Sequence, residues 1–456
     1  MYRGLIALAL MGCTGDIGKT GDSGSDTGAP AGSAAPMDIT AEVSEEVHTV
    51  VIVRWTTEAP TTGYVSFGET DAYGMVTPTS TEASTSHEVL LLGLWADTEF
   101  HFQVTSIDSA GAESKSDDLT ITTLSLPTGV PSITYTGTAD WTGYMVAPFV
   151  GAGAAALILD PQGRVVWYRL NTDPSYFLMR AMMAPDAQSV VLCMAGIDSE
   201  GNKADGHIIR VSMDGYTETK IPAPMVDHDM TMRPDGTLAG IVIQEHGAEG
   251  MADSIQEIAE DGTMTEVFSA WDHVDALAAA DSFDHPMNWT HGNALDYESS
   301  NDSYFMAMKE LHTMARVQRE TGELVWALGG EGNQFTWGEG TEPLSMFHQF
   351  EWITESQLLV FENGDPERGY SQVREFQVDQ DALTATEIWR YRPDPDILVF
   401  AKGDVDRLDN GDTLVVWSSS GEIQQVDPEG AVVWQLNTDL GTAITFIQRV
   451  DALYVD

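Results

Sequence analysis

Three histidines recur at a spacing that could bring them into one catalytic site. His228, His291 and His348 each stand at the beginning of a predicted strand, 63 and 57 residues apart. An imidazole ring changes its charge near neutral pH and can act as a nucleophile, an acid, a base or a metal ligand. Two chemistries would use three converging rings: an open zinc site, or nucleophilic catalysis in which one ring attacks and the others move protons or hold an anion.

A repeat of the same period runs through the C-terminal two-thirds of the chain. A hairpin with a turn that contains glycine or acidic residues, and with a second strand that often ends in Trp, occurs six times: 157–167, 208–219, 255–267, 315–326, 373–389 and 423–434. A second hairpin lies between consecutive copies, for example at 230–242, 294–308 and 405–416. Two hairpins make one four-stranded blade, so residues 132–456 are predicted to form a six-bladed β-propeller. The strands at 444–454 should complete the first blade and close the ring.

A propeller would position the histidines in the way that the chemistry needs. The innermost strand of each blade lines a central channel, and the first residues of that strand lie at the mouth of the channel. Three imidazoles at the same phase of three successive blades should therefore meet near one axis.

The segment before the propeller has the pattern of a β-sandwich. Six short strands alternate apolar and polar residues between closely spaced turns: 39–43, 50–56, 63–67, 87–92, 100–107 and 119–123. The stretch 92–104 is similar to the E–F corner of a fibronectin type III domain, with Phe100 in place of the corner tyrosine. Residues 37–125 are therefore predicted to be a fibronectin type III-like domain, which acts as a spacer or a binding module.

The N-terminus has the pattern of an export signal. Arg3 precedes a short apolar run at 4–11, and Leu10 to Cys13 fits a bacterial lipobox. Residues 1–13 are predicted to be a lipoprotein signal peptide with Cys13 as the lipidated residue, and 14–36 a flexible linker. We therefore expect an exported protein that touches the membrane of the cell envelope, in the periplasm or at the outer membrane, only through this lipid.

The composition excludes several functions. The chain has 71 acidic and 21 basic residues and a net charge of -50, so nucleic acid is excluded as a partner. The mean hydropathy of -0.14 argues against several membrane spans. The sequence has no glycine-rich phosphate loop and no metal-binding cysteine pattern, and we expect no cofactor or metal. Cys193, flanked by apolar residues, is expected to be buried and inert.

Three motifs resemble the bacterial aryl-sulfate sulfotransferases. They lie within 288–330, where Trp289-x-His291-x-Asn293 is followed by Val325-Trp326-x-Leu328-Gly329, within 347–364, and within 228–236. The resemblance spans about residues 130–456 and excludes the fibronectin-like domain. It implies PAPS-independent, ping-pong transfer of a sulfuryl group from an aryl sulfate to a phenol through a sulfated histidine.

The resemblance also implies a role for each site residue. His348 matches the histidine that is sulfated, whereas His228 and His291 match partners that bind sulfate oxygens and transfer protons. Asn293 matches a residue that contacts the sulfate. Lys309 occupies the position of a family arginine, where lysine keeps the charge but lacks the planar fork that grips a sulfate with two hydrogen bonds. Further cations lie near predicted inner strands without a defined orientation: Arg180, Arg407 and Arg449.

Two alternatives remain open at this point. The first is a non-catalytic propeller at the cell surface that binds a partner or a sulfated ligand. The second is a propeller with a histidine-bound metal that performs lyase or hydrolase chemistry. The position of the three Nε2 atoms discriminates between them, because sulfuryl transfer needs these atoms near one point beside Lys309 and Asn293.

Overall fold

The computed structural model describes residues 33–151, 154–200, 202–247, 250–277, 288–439 and 441–455. The predicted lipid site Cys13 and most of the predicted linker 14–36 lie outside these residues. The described chain is built almost entirely of β-strands, as predicted, and its one α-helix is the single turn Val274–Leu277. No described helix is long and apolar enough to cross a membrane.

The N-terminal part of the chain is a seven-stranded antiparallel sheet. Its strands are β1 (Met37–Val43), β2 (Val51–Gly68), β3 (Met75–Val76), β4 (Ser84–Leu91), β5 (Glu99–Ile107), β6 (Glu113–Lys115) and β7 (Leu119–Thr122). Two of the predicted strands, 50–56 and 63–67, are one continuous strand here. The first half of β2 pairs with β1 and β4, and its second half pairs with β3 and β5. Pro60, which has no N–H to donate, lies where the strand changes partners.

The six predicted blades of the propeller are confirmed. Blade one contains β9 (Tyr144–Val150), β10 (Ala154–Leu159) and β11 (Val165–Asn171); blade two contains β12 (Tyr176–Met183), β13 (Ser189–Ile197), β14 (Lys203–Ser212) and β15 (Glu218–Ala223); blade three contains β16 (Val226–Met232), β17 (Leu238–Glu245), β18 (Met251–Ile258) and β19 (Met264–Ser269). Blade four contains β20 (Gly292–Glu298), β21 (Ser303–Met308), β22 (Thr313–Gln318) and β23 (Leu324–Leu328); blade five contains β24 (Thr336–Trp337), β25 (Phe347–Thr354), β26 (Gln357–Glu362), β27 (Gln372–Asp379) and β28 (Thr384–Tyr391); blade six contains β29 (Asp404–Arg407), β30 (Thr413–Trp417), β31 (Glu422–Val426) and β32 (Val432–Thr438).

Burial explains why these segments form blades. The second strands of blades two and four, β13 and β21, have long runs of buried residues because both of their faces pack against neighbouring blades. Large side chains fill the space between the blades, and Trp167, Trp326 and Trp417 are almost completely buried. The result is a ring of sheets in which one edge strand of each blade faces the central axis: β12, β16, β20, β25 and β29 in blades two to six, and the C-terminal segment that pairs with β9 in blade one.

Two strands from distant parts of the chain close the ring. The C-terminal β33 (Ala443–Ile444) and β34 (Gln448–Val450) pair with β9, which confirms that both ends of the propeller share the first blade. A short β8 (Ile133–Gly137), which precedes the first blade, adds a fifth strand to blade six by pairing with β32. This double closure ties the first blade to the last.

The N-terminal sheet packs on the propeller at the ends of blades one and two. The Tyr454 hydroxyl donates to Leu90 O (2.8 Å) and accepts from Leu92 N (2.7 Å). The Ser44 hydroxyl donates to Asp214 O in the β14–β15 turn (2.6 Å). That turn lies at the opposite end of the blade from the start of its inner strand. The N-terminal sheet therefore leaves the channel mouth uncovered.

Candidate active site

The three histidines lie at the start of the inner strands of blades three, four and five. His228 is the third residue of β16, His291 directly precedes β20, and His348 is the second residue of β25. Each of these strands begins with a register irregularity, between Asp227 and Met230, Gly292 and Ala294, and Phe347 and Phe350. A β-bulge changes the direction of the side chains near it, so the same kind of local irregularity orients all three imidazoles.

Two of the histidines have strained backbones. His228 has a φ of 49° and His291 a φ of 48°. A residue with a side chain in the left-handed region costs about 1–3 kcal/mol, and such strain concentrates at functional sites. A buried carboxylate holds the strained loop at His291. Asp253 accepts from the Thr290 hydroxyl (2.6 Å), Gly292 N (2.5 Å) and Asn288 Nδ2 (3.0 Å).

His228 and His291 are in direct contact. Their Nε2 atoms lie 3.1 Å apart. On the far side of each ring, His228 Nδ1 lies 3.0 Å from Asp227 Oδ2, and His291 Nδ1 lies 3.4 Å from Glu310 Oε1. Since the shorter carboxylate contact keeps a proton on His228 Nδ1, Nε2 of His228 accepts and the proton between the rings belongs to His291.

Each carboxylate of this pair is bound by a lysine. Lys203 forms an ion pair with Asp227, and Lys309 Nζ lies 3.0 Å from Glu310 Oε1. Burial opposes ionisation of Asp227, but the charges of His228 and Lys203 outweigh it and hold the pKa of this carboxyl well below its usual range. Hydrogen bonds from His291 and Lys309 lower the pKa of Glu310 to about 2.

The ring of His228 is neutral near pH 7. Burial lowers its pKa to about 4, although the adjacent Asp227 carboxylate acts in the opposite direction. His291 is the more accessible ring, with 31% of its side chain exposed against 17% for His228. The pair therefore has a buried acceptor and a more exposed proton donor.

His348 lies deeper, and its tautomer follows from its partner. The residue is 2% exposed, and His348 Nδ1 contacts Asn363 Oδ1. Asn363 Nδ2 donates to the carbonyl oxygen of Lys402 (2.8 Å), which fixes the orientation of the amide. Because Oδ1 can only accept, the proton of His348 is on Nδ1, and Nε2 keeps its lone pair.

Burial also keeps His348 uncharged. Burial lowers its pKa well below the ordinary value, while the hydrogen bond to Asn363 acts in the opposite direction. The charges of Lys402, His228 and His291 lower the pKa further. A neutral imidazole with a free lone pair is the form that can attack an electrophile.

A buried ion network holds the loop that carries Asn363. Glu362 is fully buried and lies 2.8 Å from Arg374 Nη1 and 3.0 Å from Arg368 Nη1. Its carboxylate also accepts from Gln372 Nε2 (2.7 Å). The resemblance leads one to expect Asp at this position, and the longer Glu reaches both guanidinium groups.

A second buried carboxylate connects the inner strands below the histidines. Asp229 Oδ2 accepts from Leu295 N (3.0 Å) in blade four and from Gln349 Nε2 (2.8 Å) in blade five. Its Oδ1 lies 3.7 Å from Arg180 Nε in blade two. One side chain therefore fixes the relative positions of four blades.

Asn293 is completely buried beside this group. Its Nδ2 donates to Phe347 O, one residue before His348 (2.9 Å), and its Oδ1 has no partner. Among the described residues, neither the second amide hydrogen nor Oδ1 has a hydrogen-bond partner, and the side chain is completely buried.

The cations that the sequence left without orientation are all paired with carboxylates. Arg407 contacts Glu375 (2.5 Å), Arg449 contacts Asp406 (2.8 Å), and Arg180 faces Asp229. Within the described ranges, no group of three or more His, Cys, Asp or Glu side chains has the arrangement of a metal site.

The sequence analysis missed four residues of the site. Asp227, Glu310 and Asn363 are the partners of the three rings, and the carbonyl oxygen of Lys402 accepts from the Asn363 amide that orients His348. Lys402 carried a usable signal, because it stands 54 residues after His348 and just before the inner strand β29. The three partner residues gave no such signal, since their contacts form only in the folded ring.

Fold and site together define a six-bladed β-propeller with an imidazole cluster at the mouth of its channel. The family model described as Arylsulfotransferase (ASST) matches residues 144–442, and the chain belongs to this family. The matched region begins with the first strand of blade one and ends just before the C-terminal strands that close the ring.

Solved structures of other propellers are only distantly similar. They include a protein of unknown function from Bacteroides caccae (14% identity, 67% of this chain and 98% of that chain, TM-score 0.44). Virginiamycin B lyase from Staphylococcus aureus has 12% identity over 70% of this chain and 99% of that chain, with a TM-score of 0.39. These values are too low to support a conclusion about this chain. None of the curated proteins matches it.

Proposed function

We propose that this protein transfers a sulfuryl group from an aryl sulfate to a phenol in two displacements at Nε2 of His348, without PAPS. The observation that carries the proposal is the contact between His348 and Asn363, whose fixed amide leaves the Nε2 lone pair free. The membership in the arylsulfotransferase family supports the reaction class.

In the first displacement, Nε2 of His348 attacks the sulfur atom and the bond between sulfur and the aryl oxygen breaks. The sulfated ring keeps its Nδ1 proton and gains positive charge, which the Asn363 oxygen stabilises as an acceptor. The departing phenolate takes a proton from the pair formed by His291 and His228. In the second displacement the acceptor phenol returns a proton to this pair, its oxygen attacks the sulfur of the sulfated ring, and the bond between sulfur and Nε2 breaks, which returns the lone pair to His348.

The remaining assigned residues act on the sulfate oxygens. Asn293 can direct its second amide hydrogen to one of them, because the other hydrogen is fixed on Phe347 O. Lys309 supplies positive charge on the His291 side of the site, where it also neutralises Glu310. No cofactor is required, since both displacements use groups of this chain.

We further propose a fibronectin type III-like N-terminal domain on an exported, lipid-anchored protein. The N-terminal sheet packs at the blade ends that lie opposite the histidines. A tether attached to that sheet would leave the channel mouth open to small aryl sulfates and phenols. The proposed anchor is the only membrane contact.

Turnover of p-nitrophenyl sulfate, with and without added phenol, tests the proposal. We expect phenol to accelerate release of p-nitrophenol, and we expect mass spectrometry to find a sulfuryl adduct on the peptide that contains His348. His348→Ala should lose both signals, whereas His101→Ala, a control on the N-terminal sheet, should keep both. Turnover that survives His348→Ala, or a wild-type protein without turnover, would refute the proposal.

A further inference from the structure

Lysine is scarce in this chain, yet half of the lysines lie at the histidine cluster. The sequence contains six, and three of them stand behind the three rings. The ammonium groups of Lys203 and Lys309 bind Asp227 and Glu310, the partners of His228 and His291, whereas Lys402 is linked to His348 by its backbone carbonyl oxygen, which accepts from Asn363 Nδ2. In a protein with a net charge of -50, this is a local concentration of positive charge.

Lys402 differs from the other two because it has no counterion. Lys203 and Lys309 are bound to Asp227 and Glu310. Among the residues that the structure describes, no carboxylate lies within ion-pair distance of Lys402 Nζ. Its Nζ lies 3.8 Å from Met179 Sδ and 5.2 Å from the centroid of the Phe446 ring. The residue is partly exposed, so a dissolved anion can reach it.

The backbone of Lys402 is held in an unusual conformation. Its φ is 62°, in the left-handed region. Its carbonyl oxygen accepts from Asn363 Nδ2, the same amide whose oxygen orients His348. One side chain therefore holds both the ring that attacks and the backbone from which this lysine side chain extends.

We infer that Lys402 is the cation that binds the sulfuryl oxygens of the donor ester and of sulfated His348, and that the sulfate group supplies its missing counterion. The inference rests on the proposed function for the identity of the ester, but binding of an anion beside Lys402 does not require transfer. A partly desolvated ammonium without a carboxylate partner is unfavourable, so an incoming anion gains more here than beside Lys309, which Glu310 already neutralises.

The inferred role has a pH dependence with a defined sign. Burial lowers the pKa of Lys402 to about 8, against the effect of Asp227 and Asp229 and together with the charge of Lys203. The other groups that interact with Lys402 are Cys193 and the rings of His228 and His348. As pH rises above about 8, the free protein loses this cation, and anions should bind more weakly.

The test compares lysine variants by binding of inorganic sulfate, measured by calorimetry, and by the KM for p-nitrophenyl sulfate. We expect Lys402→Met to raise the Kd for sulfate and the KM for p-nitrophenyl sulfate by about 10- to 100-fold, which is the effect of losing one hydrogen bond to a charged group. Lys402→Arg should preserve binding and shift its alkaline loss to higher pH. Lys220→Met, which removes an exposed charge on β15, is the control.

Lys309→Met completes the test. If Lys309→Met abolishes sulfate binding while Lys402→Met binds as the wild type does, the inference is wrong. If wild-type protein binds sulfate, Lys402→Met does not, and no turnover occurs, the proposed function fails and the anion site stands. If Lys402→Met does not fold, the pH dependence of sulfate binding by Lys402→Arg tests the inference instead. The inference is wrong if Lys402→Arg loses sulfate binding at the same alkaline pH as the wild type.

Discussion

The Nε2 atoms of His291 and His228 lie 3.1 Å apart, and a carboxylate stands behind each ring. Two imidazoles at this distance must share one proton, because two lone pairs or two N–H groups would repel each other. Asp227 fixes the proton of His228 on Nδ1, so the shared proton comes from His291. The proposed mechanism uses this proton on the departing phenolate.

The first prediction concerns this proton. His291→Gln should slow transfer from phenyl sulfate more than from p-nitrophenyl sulfate, because an unsubstituted phenol, with a pKa of about 10, leaves as the stronger base. We expect kcat/KM for phenyl sulfate to fall by about 100-fold or more, the usual contribution of a positioned acid. Equal losses for both donors would contradict a role in proton transfer. His101→Ala is again the control.

The second prediction concerns the tautomer of His348. Asn363→Leu retains the approximate shape of the side chain but removes the acceptor for Nδ1. The Nδ1 proton can then move to Nε2 and block the lone pair that attacks sulfur. We expect kcat to fall by about 100-fold or more, and Asn363→Asp, which keeps an acceptor at this position, to lose less.

A burst experiment separates this effect from substrate binding. The yield and rate of sulfated His348 after one turnover report the attack itself. Asn363→Leu with wild-type burst kinetics would show that the amide does not control the tautomer.

The sequence predicted the propeller because its signals are local. Each hairpin carries its own turn residues, four of the six end in Trp, and the copies recur every 47 to 60 residues, so the number of blades and the ring closure by 444–454 could be deduced. The long strand β2 was not predicted, since Pro60 between two apolar runs usually indicates a turn. In the fold, Pro60 lies where the strand exchanges one set of partners for another.

The sequence predicted only those features of the site that follow from the position of a residue within its blade. The phase brought His228, His291 and His348 to the same end of their blades, but it could not supply their partners. Asn363 meets His348 from the next strand of the same blade, and Glu310 meets His291 from the loop after β21. Lys402 is in phase with the histidines, but the cation predicted for this inner strand was Arg407, which pairs with Glu375 in the fold.

The third prediction concerns the loop that carries Asn363. Glu362→Ala should remove one of the two carboxylates that contact Arg374, which is 1% exposed and also lies 2.7 Å from Glu387. A buried charge left without any partner costs about 3–5 kcal/mol; because Glu387 remains, we expect the smaller loss of about 1–3 kcal/mol in the free energy of unfolding that accompanies unmade buried hydrogen bonds. Urea unfolding measures it, and Glu320→Ala, at an exposed turn, should change it little. A loss below about 1 kcal/mol would show that this ion pair contributes no more than an exposed one, and it would contradict the prediction.

The last prediction concerns a carboxyl group on the inner strand of blade five. Burial, with the charge of Asp406, raises the pKa of Glu351 from its ordinary value of 4.5 to about 8. A carboxyl group with a raised pKa in the folded state binds more protons when folded than when unfolded. Its contribution to stability is therefore complete below pH 4.5 and is lost as pH rises through about 8.

Glu351→Gln isolates this contribution. The amide oxygen can still accept from Arg407 N, which donates to Glu351 Oε2 at 2.6 Å, but the side chain no longer titrates. Between pH 4.5 and 8 we expect the wild type to lose stability relative to the variant by at most about 1.4 kcal/mol per pH unit, the value for one proton. Urea unfolding at several pH values measures the difference in stability between the wild type and Glu351→Gln. The contributions of the other titrating groups cancel in this difference. Parallel curves, as expected for Glu320→Gln, would show that Glu351 is ionised in the folded protein throughout this range.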